Sequence, residues 1–321
     1  MTRVATNGNF QSALLSLMSA QSRAQQAQER IDSEKIATNM AGYGRGAEQL
    51  TSLTSTQARL DGFISTGETV AARLSAQDLA LTRIYEGGAG ARDAIANGLG
   101  AGNITNLMTE LGLHYQTVQG GLNAEHQGAY LFAGGQGDVA PAKAATLADL
   151  ATAPSTASTF ANDTLKHKSR IDEKTTLETG FLASEVGGPL TEVFRNIQAF
   201  QNGAPVTVNG VTYTPAGAGT LTGQPDADVT AFLKAQLAEL DKANAGLTDQ
   251  TARNGLMQNH VEAALDAQQG QKTALQKMMQ DKTGYDPAQA ITDLQQAQVA
   301  IEASAQIINS LKNTSLLNLL R

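Results

Sequence analysis

Cysteine is absent from the 321 residues, which excludes disulfide frameworks, thiolate zinc sites and a cysteine nucleophile together. Tryptophan is absent as well, and aromatic residues make up only 4% of the chain, too few for a base-stacking platform or an aromatic-lined pocket to be a theme. Four histidines leave little for metal chemistry. Acidic side chains outnumber basic ones, 30 to 23, and the net charge of −7 has the wrong sign for a binder of phosphate backbones. Nucleic acid is therefore not an expected partner. Nor does any stretch approach the roughly 18 to 20 continuous apolar residues that span a bilayer; the nearest candidate is Leu316, Leu317, Leu319 and Leu320.

What the chain does have is length for about two domains and long helical periodicity. Leu50, Leu53, Gln57, Leu60, Ile64, Gly67, Ala71, Leu74, Asp78, Leu81 and Tyr85 alternate spacings of three and four, the mark of a coiled-coil-like seam and one long helix. Phe10, Leu14, Leu17, Ala24 and Ile31 repeat the pattern more weakly, with Gln21 and Gln28 interrupting it. Arg3 ahead of Ala13 to Ala20 imitates a signal peptide, but Ser16 breaks the apolar stretch and the helical pattern runs on to Ile31, so the segment is expected to be retained. Toward the end, Leu247, Val261, Leu265, Leu275 and Met279 share one register, and Ile291, Leu294, Ile301, Ala305 and Ile308 another. Asp286-Pro287 separates the two, with Asp as helix cap and Pro at the first helical position; Gly42 to Gly46 is the matching break near the start. Met18, Met108, Met257, Met278 and Met279 fall at helical spacings and are expected in the core.

A seam on one helix needs another to cover it, and the long helices lie at opposite ends of the sequence, so the two ends should pack together. The expected fold is mainly α: a long antiparallel helical bundle formed by the N- and C-terminal segments, with a small central β-containing outer domain. Residues 1–40 and 286–321 form terminal helical arms in this reading; residues 41–135 and 186–285 form a helical-bundle domain; residues 136–185 form a small variable outer domain. Within the bundle domain, Val206 to Tyr213 reads as a hairpin insertion near 205–214, because β-branched runs flank Asn209-Gly210. Pro189 to Phe200 reads as helix, and Ala140 to Thr164 as loop and short strands. The two arms are neutral in sum, so the whole negative charge falls between them. Neutral, sticky ends on an acidic body suit a subunit that joins like subunits through its termini.

No chemistry-bearing constellation emerges. Gly42 to Gly46 and Gly87-Gly88-Ala89-Gly90 follow no strand and end in no Gly-Lys-Ser or Gly-Lys-Thr triplet. His114, His126, His167 and His260 have no metal-ligand spacing. Asp226 with Asp228, and Asp172 with Glu173, are the only acid pairs worth naming as general acid and base, and helix capping explains the first pair better. No catalytic residue, cofactor or metal is expected, and the chain is not read as an enzyme.

Asp286-Pro287-Ala288-Gln289-Ala290-Ile291 through Ile301-Glu302-Ala303-Ser304-Ala305 to the end resembles the C-terminal helix of the flagellin superfamily. Arg3 to Gln25 with Ile31-Asp32-Ser33-Glu34-Lys35 is similar to that family's opening helix, and Ala252-Arg253-Asn254-Gly255 to its last long core helix. Gly128-Ala129-Tyr130-Leu131-Phe132-Ala133-Gly134-Gly135 is similar to the block typical of the superfamily's hook-filament junction branch. The opening lacks the Asn-rich start usual in filament flagellins, and Gly42 to Gly46 replaces their usual segment. The resemblance implies a secreted, extracellular axial subunit of the bacterial flagellum, exported unfolded through the type III apparatus. Its implied partners are copies of itself, hook-associated protein 1, flagellin or other hook-associated neighbours, and an export chaperone. A filament flagellin is the second reading, and a ligand-binding or enzymatic module in the middle of the chain the third. The residues expected to pack subunits are Phe10, Leu14, Leu17, Ile31, Ile291, Leu294, Ile301, Ile308, Leu316 and Leu319. The family-motif residues are Tyr130, Leu131, Phe132, Gly134 and Gly135.

Overall fold

The structure is a computed structural model that describes residues 2–37 and 39–317, with side chains described for 8–37 and 39–312. It is mainly α, as the periodicity predicts. Four long helices account for most of the chain: α1 (Thr2–Ser33), α2 (Ala47–Ala101), α6 (Ala227–Thr283) and α7 (Pro287–Leu317). Between α2 and α6 lie α3 (Leu107–Leu122), α4 (Leu147–Thr152) and α5 (Ala183–Gln201). Two 3-10 helices, Met40–Gly46 and Ala157–Thr159, and three two-stranded antiparallel ribbons complete the description: β1 (Glu125–His126) with β2 (Ala129–Tyr130), β3 (Lys168–Arg170) with β4 (Thr176–Glu178), and β5 (Val206–Val208) with β6 (Val211–Tyr213).

The chain divides into two compact units, residues 1–61 with 270–321 and residues 62–269, so α2 and α6 contribute to both. In the first unit α1 pairs with α7. The two chain reversals also meet there: the amide of Ile36 donates to the carbonyl of Thr283 at 2.9 Å, and Lys35 bridges Gly284. Asp286 caps α7 as expected, its carboxylate accepting from the amides of Ala288 at 2.9 Å and Gln289 at 3.3 Å. The boundary at Pro189 is misplaced. The reading starts a helix at this residue, but α5 begins six residues earlier at Ala183 and carries Pro189 inside it. Proline removes one backbone donor; burial of Val186, Leu190, Val193, Phe194 and Ile197 along one face outweighs that loss.

In the second unit the side-chain amides of Asn254 and Gln258 on α6 donate to the carbonyl of Leu74 on α2, at 2.9 and 3.1 Å. The core runs from Leu74, Leu81 and Ile84 on α2 through Leu111 and Val118 on α3 to Phe194 on α5 and Phe232 on α6. Phe200 stacks on Phe232 with ring centroids 4.0 Å apart, and Tyr213 of β6 meets Phe232 edge-on, which fastens the hairpin to the start of α6. The Asn-Gly turn forms as predicted, with φ of 49° at Asn209 and 79° at Gly210. Residues 140–164 hold α4 and a single bridge, Ala142 to Phe160, rather than strands.

Candidate assembly surface

The α1–α7 pair is built on small side chains. Ala13, Ala20 and Ala27 recur every seven residues on α1, and Ala290, Ala297 and Ser304 every seven on α7; all six are buried. Half-buried residues flank them four positions on: Leu17, Ala24 and Ile31 against Leu294, Ile301 and Ile308. A small residue at each seam position lets two helix backbones approach closely, but each buried methyl contributes only about 0.8 kcal/mol, against about 1.5–3 kcal/mol for a fully buried leucine.

The bulk of both helices faces outward. Phe10, Leu14 and Met18 form a ridge of spacing four on α1, exposed by 39%, 43% and 59%, with Leu15 beside it. On α7 Ile291, Val299 and Ile307 are exposed as well. A shallow groove of about 450 Å³ opens between Gln21, Ala24, Gln25 and Gln28 of α1 and Leu294 and Ile301 of α7. Ridge and groove are the features an amphipathic helix uses to seat a neighbour.

Of the expected packing residues, Leu17, Ile31, Leu294, Ile301 and Ile308 are half-buried along the pair, while Phe10, Leu14 and Ile291 stand exposed. The side chain of Leu316, and Leu319 altogether, lie outside the described residues. Ala305 is exposed and Ser304 takes its place in the seam, a position that a search for bulky apolar residues passes over. Met257 is buried and Met108 and Met279 half-buried, but Met18 and Met278 are exposed, so spacing alone placed those two wrongly in the core.

The motif block has a different task. Leu131, Phe132 and Ala133 are buried in the second unit. The carbonyl of Phe132 accepts from the amide of Ala183 at 2.9 Å, Ala133 bridges Leu182, and an Arg73 guanidinium nitrogen reaches the carbonyl of Leu131 at 3.4 Å. Gly134 has φ of 71°, and any Cβ there would overlap the carboxylate of Asp163. That carboxylate accepts from the amides of Gly135 and Leu165, both at 2.9 Å, and these bonds hold its pKa below the ordinary value. Next to it lies His167, whose pKa is pushed down by desolvation and then by the Arg73 charge. The block thus joins α2, the loop after Phe160 and the start of α5. Asn162 adds a tie to the start of α5, its side-chain oxygen accepting from the amide of Ser184 at 3.1 Å, and Asp163, Asn162 and Arg73 carry no signal of this role in the sequence.

Of the acid-pair candidates, Asp226 and Asp172 serve local structure. Asp226 caps α6 through the amide of Val229 at 2.7 Å, and Asp172 closes a turn through the amides of Lys174 and Thr175, both at 2.6 Å. Among the described residues no cluster of three metal-ligating side chains forms, and no helix is long and apolar enough to cross a membrane.

Residues 237–320 match the family model described as the bacterial flagellin C-terminal helical region. A search of curated proteins finds no match. Among solved structures, the fold is similar to one from Vibrio parahaemolyticus described as a flagellar hook-associated protein, with 17% identity, a TM-score of 0.57, and coverage of 77% of this chain and 99% of the other. It is also similar to FlgL of Bacillus cereus, with 14% identity, a TM-score of 0.52, and coverage of 71% and 99%. The C-terminal segment is thus similar to the flagellin C-terminal helical region, and the fold is shared with those two structures.

Proposed function

We propose that this chain is a structural subunit of the bacterial flagellum, a hook-filament junction protein that polymerises by coupled folding of its terminal helices. The observation that carries the reading is the inverted distribution of bulk in the arms. The α1–α7 pair spends alanine and serine on itself and leaves Phe10, Leu14, Met18, Ile291, Val299 and Ile307 uncovered. A pair whose fully buried seam is alanine and serine, flanked by leucines and isoleucines that stay half-exposed, is weakly fastened in the lone chain, and neighbouring copies that cover the ridge supply the missing burial. Ordering and association then occur together at the growing tip.

In this reading residues 1–40 and 286–321 form the inner-tube arms, residues 41–135 and 186–285 the bundle domain, and residues 136–185 the outer domain. Leu17 and Ile31 pack with Leu294, Ile301 and Ile308 within the subunit, and Phe10, Leu14 and Ile291, together with Leu316 and Leu319, are the residues assigned to contacts between subunits. The partners are further copies, hook-associated protein 1, flagellin or hook-associated neighbours, and an export chaperone, and the place of work is the extracellular flagellum. The role is architectural rather than enzymatic. The motif block from Tyr130 to Gly135 and the likeness in fold to FlgL favour the junction over the filament.

Labelling the protein in purified intact flagella tests the proposal. A single short band of label between hook and filament is expected. Label along the whole filament assigns a filament flagellin instead, and flagella without label overturn the axial role.

A further inference from the structure

Five asparagines in the chain precede a glycine: Asn7, Asn97, Asn202, Asn209 and Asn254. Such pairs are prone to cyclise, because glycine has no Cβ to shield its amide nitrogen from the preceding carboxamide. Four of the five sit where the backbone opposes this. Asn7, Asn97 and Asn254 lie inside α1, α2 and α6, where each following amide is committed to the helical ladder, and Asn254 is fully buried with its side chain bonded to Leu74. Asn202 ends α5, where the Gly203 amide donates to Phe200 at 3.0 Å and the Asn202 side-chain oxygen accepts from Gln198 at 2.9 Å.

Asn209-Gly210 is different. Both residues are exposed at the tip of the β5–β6 hairpin, a Cβ at Gly210 would meet open space, and the Gly210 amide has no backbone acceptor among the described residues. The carboxamide is held by a single tie, donating from Nδ2 to Oε1 of Glu239 at 2.6 Å. Lys242 donates to the same oxygen at 2.7 Å and keeps that carboxylate in place.

We propose that Asn209-Gly210 is a site of spontaneous deamidation and isomerisation, and that Glu239 restrains it by holding the carboxamide away from the Gly210 amide. Water or hydroxide takes the amide proton of Gly210, and the nitrogen attacks Cγ of Asn209. The N–Cγ bond forms, the Cγ–Nδ2 bond breaks and ammonia leaves, giving a succinimide. Water then opens the ring at Cγ to give aspartate, or at the backbone carbonyl to give an isoaspartyl linkage. No electrons are transferred. Either product places a carboxylate against Glu239 where a donor stood, and the isoaspartyl form adds a methylene to the chain between the paired residues Val208 and Val211.

The test is peptide mapping by mass spectrometry of the intact folded protein, aged at mildly alkaline pH, beside the same protein in urea. In the folded state Asn209 is expected to convert first and Asn97 and Asn254 last, while in urea the five sites converge. Glu239→Ala is expected to speed conversion roughly threefold to tenfold, the worth of one hydrogen bond, with the amides of Val208 and Val211 still protected from exchange. A folded-state rate at Asn209 no faster than at Asn97 and Asn254 overturns the site. An unchanged rate in the folded Glu239→Ala protein overturns the restraint.

Discussion

The amide of Gly135 donates to Oδ1 of Asp163 across 28 residues of sequence, at 2.9 Å. This bond and its twin from Leu165 explain why the motif block ends in two glycines: the carboxylate occupies the space where side chains would stand.

Gly134→Ala would force a Cβ into that carboxylate at a φ of 71° that L-residues avoid. The expected loss is about 1–3 kcal/mol, read as a lower urea midpoint with an unchanged slope. An unchanged midpoint would show that the loop holding Asp163 yields freely.

Acid should act on this corner in two stages. His167 has a folded pKa below its ordinary 6.5, so the unfolded chain takes up its proton first, and stability falls as pH drops below that value. Asp163 has a folded pKa below the ordinary 3.8, so its contribution is present above that value and is lost as pH falls through the folded one. His167→Gln should flatten the first limb of a plot of stability against pH, and Asp163→Asn the second. Limbs unchanged in both variants would count against the assignment.

Gln77 is completely buried, and neither of its amide atoms has a hydrogen-bond partner among the described residues. Gln77→Met keeps the length and removes the cost of an unpaired polar group, so a gain of about 1–3 kcal/mol is expected in urea unfolding. A loss would mean that the amide is in use.

The arms and the second unit should exchange amide hydrogens differently. In the free monomer, α1 and α7 are expected to lose protection well before α2 and α6 between residues 62 and 269, and to gain it on polymerisation. Leu14→Ser with Met18→Ser should leave monomer exchange nearly unchanged while blocking polymer growth; normal growth would contradict the role given to the exposed ridge.

Much of the architecture was legible because its signals are local. The seam from Leu50 to Leu81, the cap at Asp286-Pro287 and the turn at Asn209-Gly210 each depend on residues a few positions apart, so the chain by itself determined long helices, where α7 begins and where the hairpin turns. Which helix face turns inward was another matter. The register read on α1 from Phe10, Leu14, Leu17, Ala24 and Ile31 is half right: Leu17, Ala24 and Ile31 lie half-buried beside the seam of Ala13, Ala20 and Ala27, whereas Phe10 and Leu14 face out. Only the pairing of α1 with α7 decided for the small residues, because close approach of two backbones rewards the absence of a side chain, which no count of apolar residues registers. The partnership of Gly135 with Asp163, and the burial of Gln77 without a partner, were likewise decided by tertiary structure: both depend on segments that meet in space far from where they lie in sequence.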